Sequence, residues 1–175
     1  MSYFKNMFPK KSKNQKIVYL DNAASTQCNP VVLKTMEQCL TNKYGNPSTF
    51  YSVGMEARKV IEDSRKKIAE YLFAQPDTII FTSGGTESIN LAILGLARKH
   101  KNKGNHIISV KTEHHAVLHT LQHLEKEGFE VTYLNVNQAG KIDLQDFKKI
   151  LRKDTILVSI VYANNEIGTI LPIAD

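Results

Sequence analysis

Short β-prone apolar runs alternate with longer amphipathic segments from Lys16 onward. The runs Ile17-Val18-Tyr19-Leu20, Thr78-Ile79-Ile80-Phe81-Thr82, His106 to Val110, Val131 to Leu134 and Thr155 to Val161 have the length and β-branched content of strands. Between them, Asn29-Pro30 is an N-cap followed by proline at the first helical position, and it opens a helix to about Lys43. Ser52 is placed to cap a helix whose apolar positions Val53, Ala57, Val60, Ile61, Ile68 and Leu72 recur near helical spacing. Further helices are expected from about Thr86 to Lys99, from Ala116 to Glu127 with Gly128 just past the end, and from an Asp143 cap to about Leu151. Tyr44-Gly45-Asn46-Pro47-Ser48 is dense in turn residues and reads as a loop.

Strands alternating with helices of ten or more residues predict βαβ units. The fold class is α/β, with a mostly parallel sheet covered by helices on both faces. There are no internal repeats. No apolar run approaches the roughly 18 residues needed to cross a bilayer, and Met1 to Lys16 lacks the apolar centre of a secretory signal.

Charge changes this picture only at one end. The net charge is +6, but Lys5, Lys10, Lys11, Lys13 and Lys16 lie within the first 16 residues, where there is no acid. Removing those five leaves the rest at +1, so the basic character belongs to a solvated, disordered tail and not to a nucleic-acid-binding face. An organelle-targeting reading of the tail is weak, because it contains no arginine and little hydroxyl content. Cys28 and Cys39 have neither CxxC nor metal-ligand spacing, which points to reduced thiols in a cytoplasmic compartment.

Three turns carry candidate chemistry. In Phe81-Thr82-Ser83-Gly84-Gly85-Thr86-Glu87-Ser88 a β-prone run meets two glycines and hydroxyl residues where a helix starts. Free N–H groups and the positive end of the helix dipole suit a phosphate there, although an ordinary βα turn has similar wording. Val110-Lys111-Thr112-Glu113-His114-His115 follows the next strand, and ligands in open parallel sheets bind beyond strand carboxyl ends. A histidine so placed can stack on a ring or move protons near neutral pH. Tyr162-Ala163-Asn164-Asn165-Glu166-Ile167-Gly168 puts amides and a carboxylate after the most apolar strand. His115, His119 and His123 repeat at i+4, but without accompanying carboxylates they read as a solvated stripe, and no metal site is assigned.

Taken in order, LDNAAST, YGNPST, FTSGGTES, SVKTEHHAV and NNEIG closely resemble the cysteine desulfurase family of class V aminotransferase-like enzymes, from about Val18 to the last residue. The resemblance implies a fold-type I transferase domain that binds pyridoxal 5′-phosphate (PLP). In it Gly85 and Thr86 cradle the cofactor phosphate, His114 lies over the ring and transfers protons, and Asn165 contacts the ring hydroxyl. It further implies a reaction in which L-cysteine gives L-alanine and an enzyme persulfide, for a sulfur-acceptor or iron–sulfur scaffold protein, in a homodimer. The lysine, aspartate and cysteine that complete this chemistry in relatives have no counterpart in these residues: Cys28 and Cys39 do not match the nucleophile, and no lysine stands in a Ser-x-His-Lys context. Residues 17–175 are therefore read as an incomplete transferase domain, an N-terminal arm plus the first part of the large domain, inactive in isolation. The alternatives are a selenocysteine lyase or another class V relative, and a non-catalytic half that pairs with a second chain.

Overall fold

The structure, a computed structural model, describes residues 18–174, and the basic tail at 1–16 lies outside them. The chain divides into two compact units after Thr41. In the first, a turn at Asp21 (Ser25 N–H to Asp21 O, 3.4 Å) leads to helix α1, Pro30–Asn42. Asn29 caps α1 as expected, its Oδ1 accepting the Val31 N–H at 2.9 Å. Cys39 is half-buried, and α1 has no fully buried residue. Residues 18–20, expected to end a strand, are not in one.

The second unit begins with the Gly45-Asn46-Pro47-Ser48-Thr49 loop. Its Asn46 carbonyl accepts both the N–H (3.1 Å) and the hydroxyl (2.7 Å) of Thr49. Helix α2, Ser52–Tyr71, packs against this loop through Gly54, where any Cβ would run into Thr49 Oγ1 and the Asn46 carbonyl. Ser52 does not cap α2. Tyr51 precedes the first turn without a side-chain bond, because the helix begins at Ser52 itself.

A parallel sheet of order β2-β1-β3 forms the centre, from β1 (His106–Val110), β2 (Glu130–Leu134) and β3 (Thr155–Val158). One face carries α3 (Gly85–His100) and α4 (His115–Lys126): Ile93, Ala97, Ile107, Val117, Leu121, Leu124 and Phe129 form a single buried cluster. The other face packs Ile108, Val110 and Leu134 against Leu171 and against Phe147 and Ile150 of α5 (Leu144–Ile150). β1 is buried at every position, as a central parallel strand covered on both faces must be.

The helix ends follow local rules. Gly128 takes φ +90° after α4. Its N–H donates to Glu125 O (3.1 Å) and the Phe129 N–H to Leu124 O (3.1 Å), while Phe129 and Leu124 pack together in the core. This is a Schellman ending with its apolar contact. Asp143 caps α5 through the Gln145 N–H at 2.7 Å.

Two strands depart from expectation. β3 stops at Val158 and does not reach Val161, because its ladder with β1 ends at Ile108↔Val158. Residues 78–82 form no strand. A 3-10 turn at Pro76–Thr78 is followed by irregular chain, held to α2 by Arg65, whose guanidinium donates to Ile79 O and stacks 4.9 Å over the Phe81 ring. A strand needs a neighbouring backbone to pair with, and none of β1–β3 pairs with this segment.

Candidate active site

Three turns stand at the starts of helices or the ends of strands, as expected for a parallel α/β sheet. The first precedes α3. Among the described residues, the N–H groups of Gly85, Thr86 and Glu87 have no partner, and neither has the Thr86 hydroxyl. Added Cβ atoms on Gly84 or Gly85 would meet nothing within 4 Å, so protein packing does not require glycine there. Exposed, unpartnered donors at the positive end of a 16-residue helix, with unobstructed backbone, fit a phosphate group. The Glu87 carboxylate holds the turn closed by accepting the N–H (2.7 Å) and hydroxyl (2.6 Å) of Ser83. Those two bonds, the hydroxyl first, lower its proton affinity.

A hydrogen-bonded chain ties this turn to α4. Asn90 Nδ2 donates to Thr86 O at 2.8 Å, and the buried Thr120 hydroxyl lies 2.8 Å from Asn90 Oδ1 and 2.7 Å from Ala116 O. Thr86, Asn90, Ala116, His119 and Thr120 line a cavity of about 200 Å3 between the two helices, which neither His114 nor Asn165 lines. A roomier cavity of about 350 Å3 beside α5 is lined mainly by apolar residues such as Ile142, Phe147 and Ile160, and offers an anion only Lys148.

The second turn holds His114, the N-cap of α4. Its Nδ1 accepts the Ala116 N–H at 3.0 Å. An acceptor nitrogen carries no proton, so the proton sits on the exposed Nε2. Preceding it, Glu113 is half-buried. Burial raises its proton affinity, and the backbone N–H groups of Val161 and His114 oppose the rise.

The third turn follows β3. Asn164 Nδ2 donates to Thr112 O at 3.0 Å, joining this turn to the His114 turn. Asn165 is exposed and donates to Glu166 Oε1 at 2.8 Å. The four residues singled out from sequence thus sit in three tied turns. The ties themselves, Asn90, Thr120 and Asn164, were not separated out by sequence reasoning. Only Asn164 carried a signal, as the first amide of the Asn-Asn-Glu wording. His115 and His119 stack 5.4 Å apart and His123 pairs with Glu127 at 3.0 Å; among the described residues no group of three or more ligating side chains is placed to hold a metal.

The family model described as aminotransferase class-V matches residues 18–175. The chain is 55% identical over 158 residues to the cysteine desulfurase IscS of Dictyoglomus turgidum, covering 90% of this chain and 40% of that protein. It is 49% identical over 160 residues to the cysteine desulfurase IscS of Clostridium botulinum, covering 91% and 40%. Among solved structures, one described as a NifS-like protein superposes with a TM-score of 0.83 at 40% identity, covering 86% of this chain and 42% of that one. The chain spans about 40% of the length of the curated relatives it matches.

Proposed function

The chain belongs to the aminotransferase class-V family, and from that premise we propose that its three turns form one wall of a PLP site serving cysteine desulfurisation. The observation that carries the reading is the start of α3, where unpartnered N–H groups, the free Thr86 hydroxyl and unobstructed Gly85 backbone make an anion cradle. Gly85 and Thr86 would hold the phosphate. His114 would face the ring, and Asn165 would bond its hydroxyl through Nδ2. The site's donor set fits such a group, with Asn165 exchanging its bond to Glu166 for one to the ligand.

When bound, PLP supplies an electron sink for bonds broken at a substrate's α-carbon. The chain's own part is to bind and orient, and to manage one proton. Because Nδ1 of His114 is committed to the helix cap, proton transfer falls to Nε2. The substrate under this reading is L-cysteine, with L-alanine as product and sulfur passed by a thiolate to an acceptor or iron–sulfur scaffold protein. The setting is a homodimer in a reducing, cytoplasmic compartment, and no described helix is long and apolar enough to cross a membrane.

The test is binding of PLP and of pyridoxal, which lacks the phosphate, by equilibrium dialysis. PLP should bind at least about tenfold more tightly, the effect of one or two charge-assisted hydrogen bonds. Substituting Thr86→Val should erase part of that margin. Equal binding of the two ligands would sink the reading.

A further inference from the structure

Asn164 and Asn165 are adjacent, yet the fold uses them differently. Among the described residues, exposed Asn165 bonds only Glu166 through its side chain, next to it in sequence. Asn164 is half-buried and makes three side-chain hydrogen bonds. Its Oδ1 accepts the N–H groups of Glu166 (2.9 Å) and Ile167 (3.1 Å), shaping the turn after β3, and its Nδ2 reaches Thr112 O at 3.0 Å in the turn after β1. Its backbone is also fixed, with its N–H donating to Thr169 O and its carbonyl accepting the Gly168 N–H, both at 2.9 Å.

That reach matters because of where the sheet stops. The β1–β3 ladder ends at Ile108↔Val158, with a last bond from Ser159 N–H to Ile108 O at 2.9 Å. Beyond it, no backbone hydrogen bond among the described residues joins 109–116 to 160–170. Both candidate groups, His114 and Asn165, lie past that point. The Asn164 amide therefore reaches across the gap to the backbone of the other turn.

We infer that Asn164 is a positioning residue: its amide takes over from the ended ladder and fixes the turn bearing Asn165 against the turn bearing His114. What the two turns hold rests on the cofactor reading proposed above; their coupling does not.

The experiment uses the 15N-labelled chain with Asn164→Asp and Asn164→Ala. Aspartate keeps the acceptor for Glu166 and Ile167 but lacks the donor to Thr112, so it separates coupling from turn integrity should the alanine variant fail to fold. Without ligand, Asn164→Asp should leave the Glu166 and Ile167 amide signals in place while moving those of Glu113 to Ala116 and the His114 ring nitrogens. Affinity for PLP should weaken about fivefold, the effect of one hydrogen bond. Shifted His114 signals with no PLP binding by either chain would support the coupling and count against the cofactor reading. Unmoved His114 signals overturn the inference, even where the melting temperature falls, since that pattern marks a purely structural role. Moved signals with unchanged PLP affinity would likewise support the coupling and count against the reading that both turns hold the cofactor.

Discussion

The Glu87 carboxylate bonds Ser83 twice, through the backbone N–H at 2.7 Å and the hydroxyl at 2.6 Å, closing a loop around the two glycines that open α3. The charge lies in the first helical turn, where the helix dipole favours an anion. Those bonds hold the carboxyl below its ordinary value of 4.5. A depressed carboxylate contributes order that is fully present above 4.5 and lost as pH falls through the folded value. The Ser83 amide resonance should therefore titrate with a midpoint below 4.5 in the parent chain and show no such step in Glu87→Gln. A midpoint at or above 4.5 would contradict the closed turn.

Gly85 and Gly54 should respond oppositely to alanine. At Gly85 a Cβ meets no protein atom within 4 Å, whereas at Gly54 it runs into Thr49 and Asn46 backbone and side-chain atoms. Gly85→Ala should leave stability within about 0.5 kcal/mol, since alanine is a good helix residue, while crowding an approaching phosphate and weakening PLP binding. Gly54→Ala should cost about 1–3 kcal/mol through overpacking. Denaturant titration of both variants reads the contrast directly. Equal destabilisation would remove the argument that glycine at 85 serves a ligand.

Residues whose structure depends on near neighbours were legible in the sequence. β1 runs from His106 to Val110 as its apolar run indicated, and the Asn29, Asp143 and Gly128 punctuation marks helix ends where it stood. The starts of α3 and α4, and with them Thr86 and His114, were legible for the same reason. The bonds that join the turns were not, because they span 30 residues from Asn90 to Thr120 and 52 from Thr112 to Asn164. No local pattern encodes such a pairing. Residues 78–82 show the converse error: β-propensity was present, but propensity describes fit to a pleated neighbour and supplies no neighbour.

Arg65 substitutes for that missing strand neighbour, and its removal should be felt at the phosphate turn. It donates to Ile79 O and lies 4.9 Å over the Phe81 ring, holding the segment that leads into Ser83 and Gly84. Arg65→Met keeps the apolar stem and removes both interactions. Backbone 15N relaxation should show greater nanosecond motion across residues 79–84, with α4 unchanged. If order at 79–84 matches the parent, the segment is held by something other than Arg65.

At the opposite end of the sheet, His106 staples all three strands. It is 1% exposed, with Nδ1 2.7 Å from Thr155 Oγ1 in β3 and Nε2 2.8 Å from Thr132 Oγ1 in β2. Burial depresses its proton affinity below the ordinary 6.5, and Arg152 adds to the effect, while Asp154 and Glu130 oppose it. The unfolded chain therefore binds more protons than the folded one just below 6.5. The resulting stability is complete above 6.5 and declines as pH falls toward the folded value. Urea midpoints should accordingly drop between about pH 7.5 and 5.5. In His106→Gln, which cannot take up a proton, that part of the slope should vanish. The variant should also be less stable by about 1 kcal/mol near neutral pH, because a half-buried hydroxyl on Thr132 or Thr155 loses its partner. The exposed histidines His114, His115, His119 and His123 remain in both proteins, so they cancel in the comparison. An identical pH slope in parent and variant would show that the three-strand staple does not tune stability.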